Sequence, residues 1–167
     1  SKLAAEYYVR TIGALWGIET VILRVFNAYG PGQRLPPSHP PVVPRFLQQA
    51  ERGGSLVIFG GGGQTRDFVY VDDVVEALMA SATAPDVDRR IINVGSGRET
   101  SINELASLAA EVVGERADVL RSPAESGGVA RLCADIAAAR RLLGYEPQVD
   151  LREGLRRTLE GDARFGA

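Results

Sequence analysis

Glu19-Thr20-Val21-Ile22-Leu23-Arg24-Val25-Phe26-Asn27-Ala28-Tyr29-Gly30-Pro31 is the stretch that decides the class of fold. Its first part is a nearly continuous run of branched and apolar side chains. That pattern predicts a strand covered on both faces of an α/β sheet, since a half-solvated strand would alternate with polar residues. An amide, a phenol and a Gly-Pro pair follow at once. They fall just past the carboxyl end of the strand, where open parallel sheets gather ligands. Position therefore makes Asn27 and Tyr29 candidate ligand contacts; the plainer reading is that Asn27 builds a turn and Tyr29 caps the core.

Upstream, residues 1–16 carry Leu3, Tyr7, Ile12 and Leu15 near helical spacing, and Gly17 is placed to end that helix. No capping residue or lead-in precedes it, so the chain is expected to be a piece of a longer protein. Downstream, residues 32–44 hold prolines at 36, 37, 40, 41 and 44 and predict a stiff exposed loop able to act as a lid. A short amphipathic helix over 44–52 should follow.

A second stretch, Gly60-Gly61-Gly62-Gly63-Gln64-Thr65-Arg66-Asp67-Phe68-Val69-Tyr70-Val71-Asp72-Asp73, places a bare backbone beside a cation and two acids. It follows the apolar run Leu56-Val57-Ile58-Phe59, so a strand should end in a loop that lets a ligand approach closely. Arg66 offers a planar charged fork suited to phosphate or carboxylate, and Asp67 could hold that fork. Phe68-Val69-Tyr70-Val71 then predicts a short strand, with Asp72 or Asp73 capping a helix over 74–83. The plainer alternative is a hairpin with a solvated arginine.

Arg90-Ile91-Ile92-Asn93-Val94 predicts another buried strand, leading into Gly95-Ser96-Gly97. That order invites a dinucleotide fingerprint, but Thr100 stands where a third glycine would be needed. Ser101-Ile102-Asn103-Glu104 instead predicts a capping box opening a helix over 102–113. Further on, the pattern predicts an edge strand over 116–123, a turn at Gly127-Gly128 and a short strand over 129–134. A helix capped by Asp135 and ended by Gly144, a last helix over 151–160 and a frayed end from 162 complete the chain.

Composition bounds the remaining possibilities. With 167 residues, 45% hydrophobic and 24% charged, the chain can bury a sizeable core. A net charge of -2 with 19 scattered Lys and Arg gives no electrostatic case for nucleic acid. No apolar run reaches the roughly 20 residues that span a bilayer, and the N-terminus has no signal core, so a cytoplasmic protein without a membrane partner is expected. The single cysteine, Cys133, is expected in the core, and the single histidine, His39, lies in the proline-rich loop without partner ligands. Neither a disulfide nor a metal site is predicted.

Taken in order, Ser1-Lys2 opening a helix, residues 24–31, residues 60–73, Asn93-Val94-Gly95-Ser96-Gly97 and residues 134–147 resemble the extended short-chain dehydrogenase/reductase family, specifically its NAD-dependent nucleotide-sugar epimerases and dehydratases. The resemblance covers that family's second half. It implies the C-terminal part of a Rossmann-type parallel sheet (residues 1–30 and 89–113) plus a smaller α/β substrate-binding domain (31–88 and 114–167). It also implies NAD as cofactor, a nucleotide-sugar as substrate and a possible homodimer.

Lys2 falls on the lysine of the family's Tyr-x-x-x-Lys pair, which binds the nicotinamide ribose and lowers the pKa of the tyrosine; that tyrosine would precede residue 1. By the same resemblance Asn27 contacts substrate, Tyr29 lies near cofactor, Val43 and Phe46 wall the base, and Arg66 clamps the diphosphate. The plainer account of Lys2 is an exposed lysine pairing with Glu6 one turn on. Glu125-Ser126-Gly127-Gly128 replaces the family's Arg-Pro-Gly-Asp, so either Arg121 or Arg131 supplies the second phosphate arginine from a nearby position, or the substrate differs in its nucleotide or sugar. The activity implied is that of a UDP-glucose 4-epimerase-like enzyme, with a dTDP-glucose 4,6-dehydratase-like enzyme or a non-catalytic binding or complementing fragment as alternatives.

Overall fold

The computed structural model describes residues 1–114, 117–123 and 128–165. Helix α1 (Lys2–Trp16) ends at Gly17, whose left-handed φ of 64° returns its N–H to Gly13 O. Strands β1 (Val21–Val25) and β2 (Asn27–Tyr29) follow, then α2 (Val42–Glu51), β3 (Leu56–Phe59), β4 (Thr65–Arg66) and β5 (Phe68–Tyr70). Next come α3 (Val71–Thr83), β6 (Arg90–Val94), β7 (Thr100–Ser101), α4 (Ile102–Val113), β8 (Val119–Ser122), α5 (Ala137–Leu143) and α6 (Leu151–Gly161).

The expected α/β class with parallel pairing is what forms. β1 runs parallel to β6 from Val21 opposite Arg90 to Val25 opposite Val94, β2 parallel to β5, and β3 parallel to β8. Among the described residues only the short β4–β7 pair is antiparallel. Coverage of β1 is lighter than its apolar run predicts: Arg24 and Val25 are exposed. Helix α1 buries only Gly13, leaving Leu3, Tyr7, Ile12, Leu15 and Trp16 in solvent. What ties α1 to β1 is a two-bond contact in which Arg24 donates to Glu6 at 2.9 and 2.7 Å.

Two cores lie on either side of the β2–β5 pair. Successive side chains of a strand point to opposite faces, so Phe68 and Tyr70 enter one core and Val69 the other. The first core packs Phe46, Leu47, Leu56, Ile58, Leu105 and Leu155, bringing α2, α4 and α6 onto β3 and β5. In the second, Val74, Ile92, Val94, Ile136 and Tyr145 join α3 and α5 to β6. Helix α4, grouped with β6 by its place in the chain, thus packs with α2 and α6, while α3 sits with the β1–β6 side.

Local chemistry explains most boundaries. The capping box forms as predicted: Ser101 Oγ accepts from Glu104 N at 3.1 Å and Glu104 Oε2 accepts from Ser101 N at 2.7 Å. Helix α3 starts three residues earlier than the acid pair suggested, at Val71 directly out of β5, with no side-chain cap. Asp73 lies in its first turn, 1% exposed, and accepts from the backbone of Gln148 and Val149 at 2.9 and 3.2 Å. Asp135 does accept from Ala137 N at the start of α5, at 3.0 Å.

Other expectations are corrected. The predicted strand over 129–134 reduces to one bridge between Thr65 and Arg131. The strand expected over 116–123 shortens to β8; Arg116 and Gly127 lie outside the described residues. Cys133 is exposed. The chain end from 162 to 165 is packed: Asp162 and Phe165 are 4% and 5% exposed. Asp162 accepts from Gly32 N at 2.8 Å, and hydrogen bonding from Arg164 holds its carboxyl far below the usual range.

Asp67 joins these parts. Its side chain is fully buried; Oδ1 accepts from Ser96 N and Oγ, both at 2.7 Å, and Oδ2 from Gly97 N at 2.9 Å and Ala134 N at 3.0 Å. Its carbonyl accepts from Asn27 N at 3.1 Å and Nδ2 at 3.0 Å. The carboxylate therefore ties β5 to the turn after β6 and to the segment before α5, and does not hold Arg66 as expected. Gly95 is required there, since a Cβ would lie 2.6 Å from Ala134 Cβ and 2.9 Å from Asp67 Oδ2. Asp67→Asn keeps the shape but turns an amide donor onto backbone donors. It should cost roughly 2–3 kcal/mol, seen as a lower urea midpoint at unchanged slope; an unchanged midpoint would refute the role.

Candidate functional site

At the carboxyl end of β2 the chain leaves through Gly30-Pro31-Gly32-Gln33 and returns at Pro41 to begin α2. Between these segments lies a crevice of about 470 Å³ bordered by Asn27, Tyr29, Gln33, Pro41, Val43 and Phe68 among others. β2 supplies one side, the first turn of α2 delivers Val43, and β5 contributes Phe68. Asn27 is half-buried, and its Nδ2 donates to Asp67 O, so the side-chain amide is anchored by the same residue that joins the two cores.

Tyr29 is buried at 3% exposure, with its ring edge-on to Phe68 and Tyr70 at 6.5 and 5.6 Å. Its hydroxyl reaches toward Leu151 O at 3.5 Å, over Gly154, where a Cβ would stand 2.0 Å from the oxygen. Burial first, then Tyr70, pushes the phenol well above its ordinary pKa. The hydroxyl expected near a cofactor is thus turned into the core, and only the remainder of the residue borders the crevice. Phe46 is fully buried and lies behind Val43 in the first core instead of walling the crevice. Val43 and Phe46 sit about one turn apart on the same face of α2 and both pack in the first core, but Val43, in the first turn, also borders the crevice.

The arginines separate. Arg66 donates through Nη1 to Thr65 O at 2.7 Å and Val129 O at 2.8 Å and has no ion-pair partner among the described residues. Its guanidinium is therefore oriented by carbonyls. Arg131 has 80% of its side chain exposed and is paired with Glu99. Arg121 instead staples the glycine turn, donating to Gly61 O at 2.9 Å and Asn103 Oδ1 at 3.2 Å. That turn places Gly60 and Gly62 at φ 69° and 71°, and a Cβ on Gly62 would meet Asn103 Oδ1 at 2.4 Å. Glu125 and Ser126 lie outside the described residues.

Lys2 stands exposed at the start of α1, and Glu6 is engaged by Arg24 rather than by Lys2. No pyrophosphate site is formed by Gly95-Ser96-Gly97, because the Ser96 and Gly97 N–H groups that could cradle an anion already serve Asp67. The residues described here do not by themselves fit a dinucleotide. A larger groove of about 880 Å³ lies between α4 and residues 146–151. Its wall mixes Arg98 and Arg140 with Glu99, Glu104, Glu111 and Glu146, and of the expected site residues it holds none. No helix among the described residues is long and apolar enough to cross a membrane.

Gln33 went unnoticed in the sequence, where Gly-Pro-Gly-Gln reads as turn chemistry. Its place six residues after Asn27 was the available signal.

Residues 1–95 match the NAD dependent epimerase/dehydratase family. This chain belongs to that family. It is 37% identical over 159 residues to the UDP-glucose 4-epimerase of Mycolicibacterium smegmatis, covering 95% of this chain and 50% of that protein. Among solved structures it resembles a UDP-glucose 4-epimerase of Thermotoga maritima with UDP-glucose, at TM-score 0.86 and 36% identity over 95% of this chain and 50% of that one. It also resembles the UDP-glucuronic acid 4-epimerase of Bacillus cereus in complex with UDP-glucuronic acid and NAD, at TM-score 0.84 and 33% identity over 94% and 49%. The chain spans about half the length of the curated relatives it matches.

Asn27 is tied into the fold through Nδ2, and we propose that it also serves ligand. Asn27→Ala removes one side-chain bond to Asp67 O and should cost about 1 kcal/mol of stability, while nucleotide-sugar affinity in the full-length protein falls at least tenfold by calorimetry. Unchanged affinity with a large loss of stability would make Asn27 a turn-building residue only.

Proposed function

We propose that this segment is the substrate-facing C-terminal half of an NAD-dependent nucleotide-sugar epimerase of the UDP-glucose 4-epimerase type. The observation that carries the proposal is the crevice along β2, with Asn27 anchored in it, together with Arg66 on β4, oriented by two carbonyls and with no acid partner among the described residues. A guanidinium held beside a glycine turn suits a diphosphate, whose charge must be matched once water leaves. Asn27 and Val43 then contact the remainder of the nucleotide-sugar, with Arg121 or Arg131 as the second cation. Arg121 is the better placed of the two, lying against the glycine turn while Arg131 is neutralised by Glu99.

Lys2 is assigned the helper role in a catalytic pair whose tyrosine comes from residues outside this chain, which also supply most of the NAD site. The division into Rossmann elements and a substrate domain, a cytoplasmic location and a homodimer belong to the same reading. The exposed Leu3, Tyr7, Ile12 and Leu15 of α1 support cover by further polypeptide. A dTDP-glucose 4,6-dehydratase-like activity is the second reading; it differs in acidic residues that would accompany the missing tyrosine.

Calorimetric titration of UDP into the full-length protein tests the diphosphate assignment. Arg66→Ala should weaken binding by roughly 1.5–3 kcal/mol, on the order of ten- to a hundredfold. Equal affinities at low salt would remove it. Assayed with NAD and UDP-galactose, the 167-residue chain alone should show no turnover, and activity should return when a separately produced N-terminal half is added. Cofactor-dependent turnover by the chain alone would mean that Lys2 is not the residue through which it takes part.

A further inference from the structure

Among the residues lining the crevice, one buried polar side-chain atom has no hydrogen-bond partner among the described residues: Gln33 Oε1. The amide's orientation is set by its other end, since Nε2 donates to Ala28 O at 3.0 Å; reversing it would set two acceptors against each other. Asn27 is arranged the same way, its Nδ2 held by Asp67 O at 3.0 Å. In both side chains one N–H is given to a backbone carbonyl, which fixes the amide and sets its oxygen opposite that anchor. Two anchored acceptors thus share a crevice otherwise walled largely by apolar side chains such as Val43 and Phe68.

The turn that carries Gln33 is built to hold it. Gly32 N–H donates to Asp162 Oδ2 at 2.8 Å, and Asp162, only 4% exposed, is fixed in turn by Arg164. The end of α6 closes against the same turn, with a Cβ on Gly161 coming within 3.1 Å of Pro31. A residue on a free loop would leave its amide to water. Here the oxygen is desolvated in advance, a cost that a ligand donor would relieve.

Building on the function proposed above, we infer that Gln33 is a specificity-determining residue that accepts a hydrogen bond from a sugar hydroxyl of the bound nucleotide-sugar. A phosphate brings no donor for Gln33 Oε1, because its oxygens would face an acceptor. A uracil ring brings a single N–H donor between two carbonyls, too few for two acceptors, and the ribose diol is the competing donor that titration with UDP alone reports. A hexose carries several hydroxyls on adjacent carbons and can satisfy Asn27 and Gln33 together. Loss of a single hydrogen bond to a buried acceptor should therefore be felt by the sugar and not by the nucleotide.

Calorimetry on the full-length protein with UDP and with UDP-glucose separates these contributions. Gln33→Leu should weaken UDP-glucose about 5- to 30-fold while changing UDP less than twofold. Should Gln33→Leu fold poorly, Gln33→Asn keeps the amide but withdraws its oxygen by one methylene, and the same selective loss is expected. UDP-glucose binding as in the wild type, or equal weakening of both ligands, would overturn the assignment to Gln33 while leaving the nucleotide-sugar reading standing. Failure of the wild-type protein to bind UDP at all would instead overturn that reading, and the Gln33 assignment with it.

Discussion

A carboxylate with no exposed surface has to be surrounded by donors, and the surroundings of Asp67 set much of this molecule's geometry. Its two oxygens take the Ser96, Gly97 and Ala134 amides and the Ser96 hydroxyl, while its carbonyl takes both nitrogens of Asn27. Segments far apart in sequence are thereby drawn to one point between the two cores. The same contacts explain a resemblance that misleads. Gly95-Ser96-Gly97 has the form of an anion-binding turn because it binds an anion, but the anion is the protein's own side chain. Tyr145, whose hydroxyl donates to Gly95 O at 2.9 Å, closes the turn from the other side.

The site follows from that constraint. β2 and β5 form the partition between the cores, and the pair is fixed at its amino end by Asn27 and Asp67. Because side chains alternate across the partition, Tyr29, Phe68 and Tyr70 fill one core with edge-on aromatic contacts. The crevice opens where this partition ends and α2 begins. Its apolar side is an extension of the first core, and its polar groups are the two amides, each held by one N–H bond to a backbone carbonyl. Rigidity of this kind is what a binding site needs, since acceptors held in advance lose little freedom when a ligand arrives.

What the sequence made legible was whatever rests on local periodicity and short-range caps. The parallel strands at 21–25 and 90–94, the Gly17 stop and the Ser101–Glu104 box all belong to that class. Long-range chemistry was less accessible. Asp67 reads as a partner for its neighbour Arg66, yet its donors sit 29 to 67 residues away. Asp162 looks like the start of a frayed end until Gly32, 130 residues earlier, is found on its carboxylate. Val43 and Phe46 look equivalent along the chain and both are buried in the first core, but only Val43, one turn nearer the start of α2, also borders the crevice. Gln33 was hidden by its surroundings, because glycine and proline on its N-terminal side mark a turn and say nothing of where the turn points a side chain.

The most direct test is a crystal structure of the full-length protein with UDP-glucose. The account predicts the glucose ring in the crevice within hydrogen-bond distance of Asn27 and Gln33, the diphosphate on Arg66, and the Asp67 contacts unchanged. A ligand seated in the groove between α4 and residues 146–151, or a diphosphate bound away from Arg66, would contradict it.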